Sequence, residues 1–155
     1  MAETFVTSDL HFGHKNIVKY RPFISSEEHD ALVISNWNAL ITKQDRVIVL
    51  GDVAFNEAGL KKIALLNGVK IFVVGNHDSF SKERYKQYFG KPRLYYTHKE
   101  ELLFTHIPVH PQALRGYKNV HGHLHTEIID DPNYINVCLD VRDWKPVNLK
   151  EIINE

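Results

Sequence analysis

Three short apolar runs, residues 4–8, 47–50 and 71–74, each give way directly to a polar loop: Asp9 with His11, Gly51 with Asp52, and Gly75-Asn76-His77-Asp78. The second and third are apolar at consecutive rather than alternate positions, the pattern of strands buried on both faces in a sheet covered by helices. The chain between the runs reads as helix. Ser25, with Glu28 three residues on, makes a capping-box pair, and Val33, Trp37, Leu40 and Ile41 recur at helical spacing, which predicts a helix over residues 26–41. Leu60, Ile63 and Ala64 predict a second helix, stopped near Asn67 and Gly68. Strand, loop and helix therefore alternate three times, and in such α/β folds ligands bind beyond the carboxyl ends of the strands.

The second half changes character. Residues 93–96 and 102–105 predict two strands joined by a turn near Lys99 and Glu100, as in a hairpin. Residues 134–137 and 139–141 predict further strands, and Leu149, Ile152 and Ile153 a short terminal helix or strand. No repeat, low-complexity stretch or Gly/Ser linker divides the 155 residues, so a single domain over 1–155 is expected.

Lys plus Arg and Asp plus Glu both total 19, so no global field draws the chain to nucleic acid or to an anionic membrane, and an anionic ligand must be captured locally. Cys138 is the one cysteine, which excludes an internal disulfide and fits a reducing compartment. No apolar run approaches the roughly 20 residues of a membrane span, and the N-terminus lacks a basic segment followed by an apolar core. The expectation is a soluble cytoplasmic protein with no membrane partner and an oligomeric state left open.

Eight of the ten histidines fall in a few short segments; His29 and His98 stand apart. With the carboxylates they form a series: Asp9 and His11, Asp52, Asn76 and His77, His106, then His123 and His125 in Gly-His-x-His. Any one of these is weak, since Asp after a strand is often a cap and Asn-His a turn. Brought to the same ends of neighbouring strands they would converge on one place. A mixed oxygen and nitrogen set suits Mn²⁺, Fe²⁺ or Zn²⁺ better than Mg²⁺ or Ca²⁺, and it lacks the thiolates of a structural zinc site. Asp9, His11, Asp52, Asn76, His106, His123 and His125 are too many for one ion and enough for two sharing a carboxylate.

The ordered series D-x-H, G-D, G-N-H-D, H, G-H-x-H, spanning residues 9–125, resembles the calcineurin-like metallophosphoesterase family. The segments DLHFGHKNI, THIPVHP, NVHGHLH and INVCLDVRDWKP are similar to its small bacterial and phage members. The resemblance implies a four-layer α/β/β/α sandwich of two mixed sheets. It also implies a first metal on Asp9, His11 and His125, a second on Asn76, His106 and His123, and Asp52 bridging them. Two such ions, Mn²⁺ foremost, with Fe, Zn²⁺ or Ni²⁺ as alternatives, would hold a bridging hydroxide that attacks a phosphate ester. His77 would stabilise the transition state or protonate the leaving oxygen.

The chain departs from the protein phosphatase branch of that family. That branch has GDxxDRG, an arginine before GNH, and GNHE; here the residues are Gly51-Asp52-Val53-Ala54-Phe55-Asn56, Val74 and Asp78. The expected substrate is therefore a small phosphodiester or phosphomonoester of nucleotide type rather than a phosphoprotein. A metal-dependent nuclease and a catalytically idle scaffold of the same fold are the alternatives. His14, His110 and His121 are candidates to line the pocket or to support loops, and Arg21, Arg142, Lys15 and Arg115 to grip phosphate. Trp37 and Trp144 are candidates to stack on a base, but Trp37 lies on an apolar helical stripe and reads as core; Cys138 reads as a buried thiol.

Overall fold

The computed structural model describes residues 1–99 and 101–155; Glu100, in the expected turn, lies outside them. The strands are β1 (Thr4–Thr7), β2 (Arg46–Leu50), β3 (Val69–Val73), β4 (Tyr96–His98), β5 (Leu102–Thr105), β6 (Lys118–His121), β7 (Tyr134–Asn136) and β8 (Val147–Asn148). The helices are α1 (Ser26–Leu40), α2 (Glu57–Lys62), α3 (Lys82–Lys86), α4 (Pro111–Leu114) and α5 (Leu149–Ile153). Two four-stranded sheets result, with strand orders β3-β2-β1-β8 and β4-β5-β6-β7. Both are mixed: β1, β2 and β3 run parallel with β8 antiparallel, and β5, β6 and β7 run parallel with β4 antiparallel.

Side-chain alternation along the strands builds two cores from one set of apolar runs. Val47 and Val49 of β2 join Phe5 and Phe72 under the helices, against Val33 and Trp37 of α1 and Leu60 of α2. Ile48 and Leu50, one residue out of phase, join Val6 and Val73 in the layer between the sheets, against Leu102, Phe104, Val120 and Ile135. Consecutive apolar residues were required because each face of the first sheet is covered. On the far side of the second sheet, Thr97 and Leu103 border a hollow with Ala113 and Leu114 of α4. The layers are α, β, β and α, as the resemblance implied.

Helix α1 begins where the sequence places it: the Ser25 hydroxyl accepts from Glu28 N–H at 3.1 Å, and the Glu28 carboxylate accepts from Ile24 N–H at 2.7 Å. Trp37 is fully buried and donates to Asn67 O at 2.9 Å.

Three expectations need correction. Residues 139–141 form a 3-10 turn rather than a strand; the chain leaves the ladder after Val137, and Val141 N–H closes onto Cys138 O. Apolar spacing cannot separate these, because Leu139 is as buried in the turn as it would be in a strand. Residues 93–96 are not a strand of the second sheet. Arg93 pairs instead with β3 of the first, through one isolated bridge to Val73, and β4 begins only at Tyr96. The second half is hairpin-like at β4–β5 alone, since β5, β6 and β7 run parallel.

Candidate metal centre

The loops after β1, β2, β3, β5 and β6 meet at one end of the sandwich. Beyond β1 and β2 the two chains stay hydrogen-bonded: Asp9 N–H donates to Gly51 O, His11 N–H to Asp52 O and Phe12 N–H to Val53 O. The loops also touch closely; a Cβ on Gly51, whose φ is +82°, would stand 2.5 Å from the Gly75 backbone, so only glycine fits there. Asp9, His11, Asp52, His123 and His125 all have φ between 52° and 69°. Non-glycine residues in this left-handed region each cost about 1–2 kcal/mol, and five of the seven candidate ligands adopt it.

Each carboxylate gives one oxygen to the protein and turns the other toward imidazoles. Asp9 Oδ2 accepts from His123 N–H at 2.9 Å and lies 2.6 Å from the Ser8 hydroxyl and 3.2 Å from the Cys138 thiol. Asp9 Oδ1 faces His11 Nε2 at 3.3 Å and His125 Nε2 at 3.8 Å. Asp52 Oδ1 accepts from His77 N–H at 2.9 Å, while Oδ2 lies 3.7 Å from His11 Nε2 and 3.4 Å from His106 Nε2. Asn76 Oδ1 is 2.8 Å from His106 Nε2 and 3.0 Å from His123 Nδ1. The carboxylate–imidazole separations are long for hydrogen bonds. Those of 3.3 and 3.4 Å match the roughly 3–3.5 Å edges of a polyhedron whose centre is about 2.1 Å from each ligand, and those of 3.7 and 3.8 Å are a little longer. Asp9, His11 and His125 form one group that could hold an ion, and Asp9, Asp52 and His106 another.

The imidazoles are oriented from behind. His106 Nδ1 donates to Leu50 O at 2.6 Å, which leaves the Nε2 lone pair facing Asp52 and Asn76. His125 Nδ1 donates to Asp140 Oδ2 at 3.1 Å and turns Nε2 toward Asp9. Arg21 binds the Asp140 carboxylate through Nε (3.0 Å) and a terminal nitrogen (2.8 Å), and that nitrogen also donates to Asp9 O at 2.7 Å. Its other terminal nitrogen donates to His29 Nε2 at 2.7 Å; His29 Nδ1 in turn donates to Asp30, which Lys62 and Gly13 N–H also bind. Asp78 clamps two loops together by accepting from Asp52, Val53 and Gly75 N–H at 2.7–3.0 Å.

Burial and charge set the protonation of the cluster. Burial would raise Asp9 and Asp52, but the histidines hydrogen-bonded to or charged beside each hold both carboxyls below the ordinary range. Burial lowers His11 despite its bond to Asp9, and lowers His123, with His106 adding to it. The hydrogen bond to Asp140 raises His125; at His106, burial is outweighed by Asp52 and Asp9, and its value rises. Burial pushes the Cys138 thiol up, so it stays a proton donor beside Asp9.

The structure thus brings together Asp9, His11, Asp52, Asn76, His77, His106, His123 and His125. His14 lines a cavity beside them with His11, Phe55 and His77. The other sequence candidates lie outside this ligand cluster. Arg21 borders that cavity but is 3% exposed, and its hydrogen bonds to Asp140, Asp9 and His29 leave it unable to grip phosphate. Arg142 is spent on Glu155 and Asn136 O, near the C-terminus. His110 caps α4, its Nδ1 accepting from Gln112 N–H at 3.3 Å, and with Arg115 it lines a separate hollow. His121 is buried in β6 and donates to Gly122 O, and Trp144 lies under the Arg21 guanidinium at 5.4 Å. Sequence reasoning missed Asp140, His29, Asp30 and Asp78.

Over 99% of its length the chain is 34% identical to an uncharacterized protein of Methanocaldococcus jannaschii, covering 90% of that protein. It is 28% identical to the Gene 66 protein of Mycobacterium phage D29, covering 100% of this chain and 98% of the phage protein. The crystal structure of a protein of unknown function from Aquifex aeolicus superposes with a TM-score of 0.81 at 26% identity, over 99% of both chains. An archaeal phosphodiesterase shares the fold, with a TM-score of 0.51 at 20% identity over 88% of this chain and 82% of its own. The family model for calcineurin-like phosphoesterases matches residues 3–152. The chain belongs to the calcineurin-like phosphoesterase family, and thereby to the metal-dependent phosphoric ester hydrolases.

Proposed function

We propose that residues 1–155 act as one cytoplasmic domain that hydrolyses a small phosphodiester or phosphomonoester of nucleotide type at a centre of two divalent ions, Mn²⁺ foremost. The observation that carries this is Asp52 Oδ2, placed between His11 Nε2 and His106 Nε2 at 3.7 and 3.4 Å, where one oxygen can serve two ions. Asp9, His11 and His125 would hold the first ion, and Asn76, His106 and His123 the second. A pair of such ions supplies Lewis acidity, activating water and neutralising phosphoryl charge.

The chain's own groups do the rest. Asp52 and Asp9 enter ionised, because hydrogen bonds to one oxygen of each and imidazoles at the other keep their protons off near neutral pH. His77 has its backbone fixed by the Asp52 carboxylate while its side chain stays exposed at the cavity, where it can give a proton to a departing oxygen.

Hydrolysis of an aryl phosphodiester and an aryl phosphomonoester with added Mn²⁺ tests this reading. Turnover of at least one, abolished by chelation and reduced at least a hundredfold in Asp52→Asn and His77→Ala, is expected. Absence of metal-dependent turnover on both would sink it.

A further inference from the structure

On the His11 and His125 side of the ligand cluster lies a cavity of about 430 Å³. Its wall is built of rings. Phe55 stacks on His11 with centroids 5.0 Å apart, meets His14 edge-on at 4.4 Å and stands 5.2 Å from His77. Tyr20 stands edge-on to His14 at 6.3 Å, with Ile17 also on the lining. Tyr20 is 77% exposed, so its ring adds little to either core.

Among the described residues no lysine or second arginine borders the space, Arg21 and Asp140 are bonded to each other, and His77 is the imidazole assigned to the reacting ester oxygen. A pocket for a further phosphate would present a lysine or arginine to it. Aromatic walls favour planar rings, by stacking or edge contact, and discriminate little among bases because every base has a π-face. The volume sits at the small end of the roughly 300–1,000 Å³ of small-molecule pockets.

We infer that this cavity is the subsite for the organic group of the ester, and that it takes one uncharged nucleoside ring rather than a group bearing another phosphate. The inference rests on the phosphoesterase reading, since His77 lines the cavity and an ester oxygen beside it would carry its substituent against Phe55, His14 and Tyr20.

Two measurements test it together. The first is calorimetric titration of the metal-free protein with adenosine, cytidine and ribose. The second compares adenosine 5′-methyl phosphate with the same ester of 1-deoxyribose, in Mn²⁺, by release of free nucleoside or sugar; the two alcohols differ only in the ring. Both nucleosides should bind at least tenfold tighter than ribose, and the adenosine ester should exceed the abasic ester at least tenfold in kcat/KM. Tyr20→Ala, at an exposed position where folding is not at issue, and Phe55→Leu should each weaken nucleoside binding severalfold. Equal binding of ribose, or nucleoside binding unchanged in both variants, overturns the inference. Hydrolysis of both esters at equal kcat/KM overturns it and leaves the phosphoesterase reading standing. Nucleoside binding with no hydrolysis of either ester under Mn²⁺, Fe²⁺, Zn²⁺ or Ni²⁺ overturns that reading, and with it the assignment of the cavity to an ester.

Discussion

The Asp140 carboxylate accepts from His125 Nδ1 at 3.1 Å, and this contact fixes which nitrogen His125 turns toward Asp9. Partners of this kind tune metal affinity by about 10–100-fold. Asp140→Asn should therefore weaken binding of the first ion by roughly tenfold or more, as read by Mn²⁺ titration calorimetry. An unchanged affinity would show that His125 is held by something other than Asp140.

Arg21 neutralises Asp140 where neither side chain is more than 4% exposed. Removing one partner of a buried ion pair strands the other and costs about 3–5 kcal/mol. Arg21→Met should lower stability by about that amount in urea denaturation, with Asp140 left buried and bonded to His125 alone. The double variant Arg21→Met with Asp140→Leu should recover part of the loss.

Three backbone N–H groups, of Asp52, Val53 and Gly75, converge on Asp78. A buried donor without an acceptor costs about 1–3 kcal/mol. Asp78→Ala should destabilise the protein by about 3 kcal/mol or more, seen as a lowered Tm, and should loosen Asp52 relative to Asn76.

Burial raises Asp30, but bonds from His29, Lys62 and Gly13 N–H outweigh it and hold the carboxyl below its ordinary range. A depressed carboxyl stabilises the fold fully above its unfolded value, about 3.9, and that contribution is lost as pH falls through the lower folded value. The stability difference between wild type and Asp30→Asn should thus stay level from pH 7 to about 5 and shrink below about 4. A difference that shrinks instead between pH 5 and 7 would contradict this assignment.

The loops after β1, β2, β3 and β5 were legible because each follows an apolar run, whereas His123 and His125 follow β6, whose Lys118-Asn119-Val120-His121 carries too little apolar sequence to read as a strand. The network behind the loops was not legible. Arg21 and Asp140 lie 119 positions apart, and an arginine beside a histidine-rich loop reads as a phosphate grip until its partners are seen. His29 stood alone in sequence yet its ring bridges Arg21 and Asp30. Asp78 followed His77 as part of a motif, and nothing in spacing shows that its carboxylate ties two loops together. Residues 139–141 alternate apolar, polar and apolar in sequence like a strand, and only the Cys138–Val141 hydrogen bond reveals the turn that sets Asp140 beside His125.

If Asp52 is shared by two ions, metal content per chain after saturation with Mn²⁺ and removal of free metal should differ between wild type and Asp52→Asn. Two ions per wild-type chain are expected, with the exchange-coupled paramagnetic signal of a pair about 3.5–4 Å apart, and at most one in the variant. A wild-type stoichiometry that never exceeds one, or two uncoupled ions, would contradict that role for Asp52.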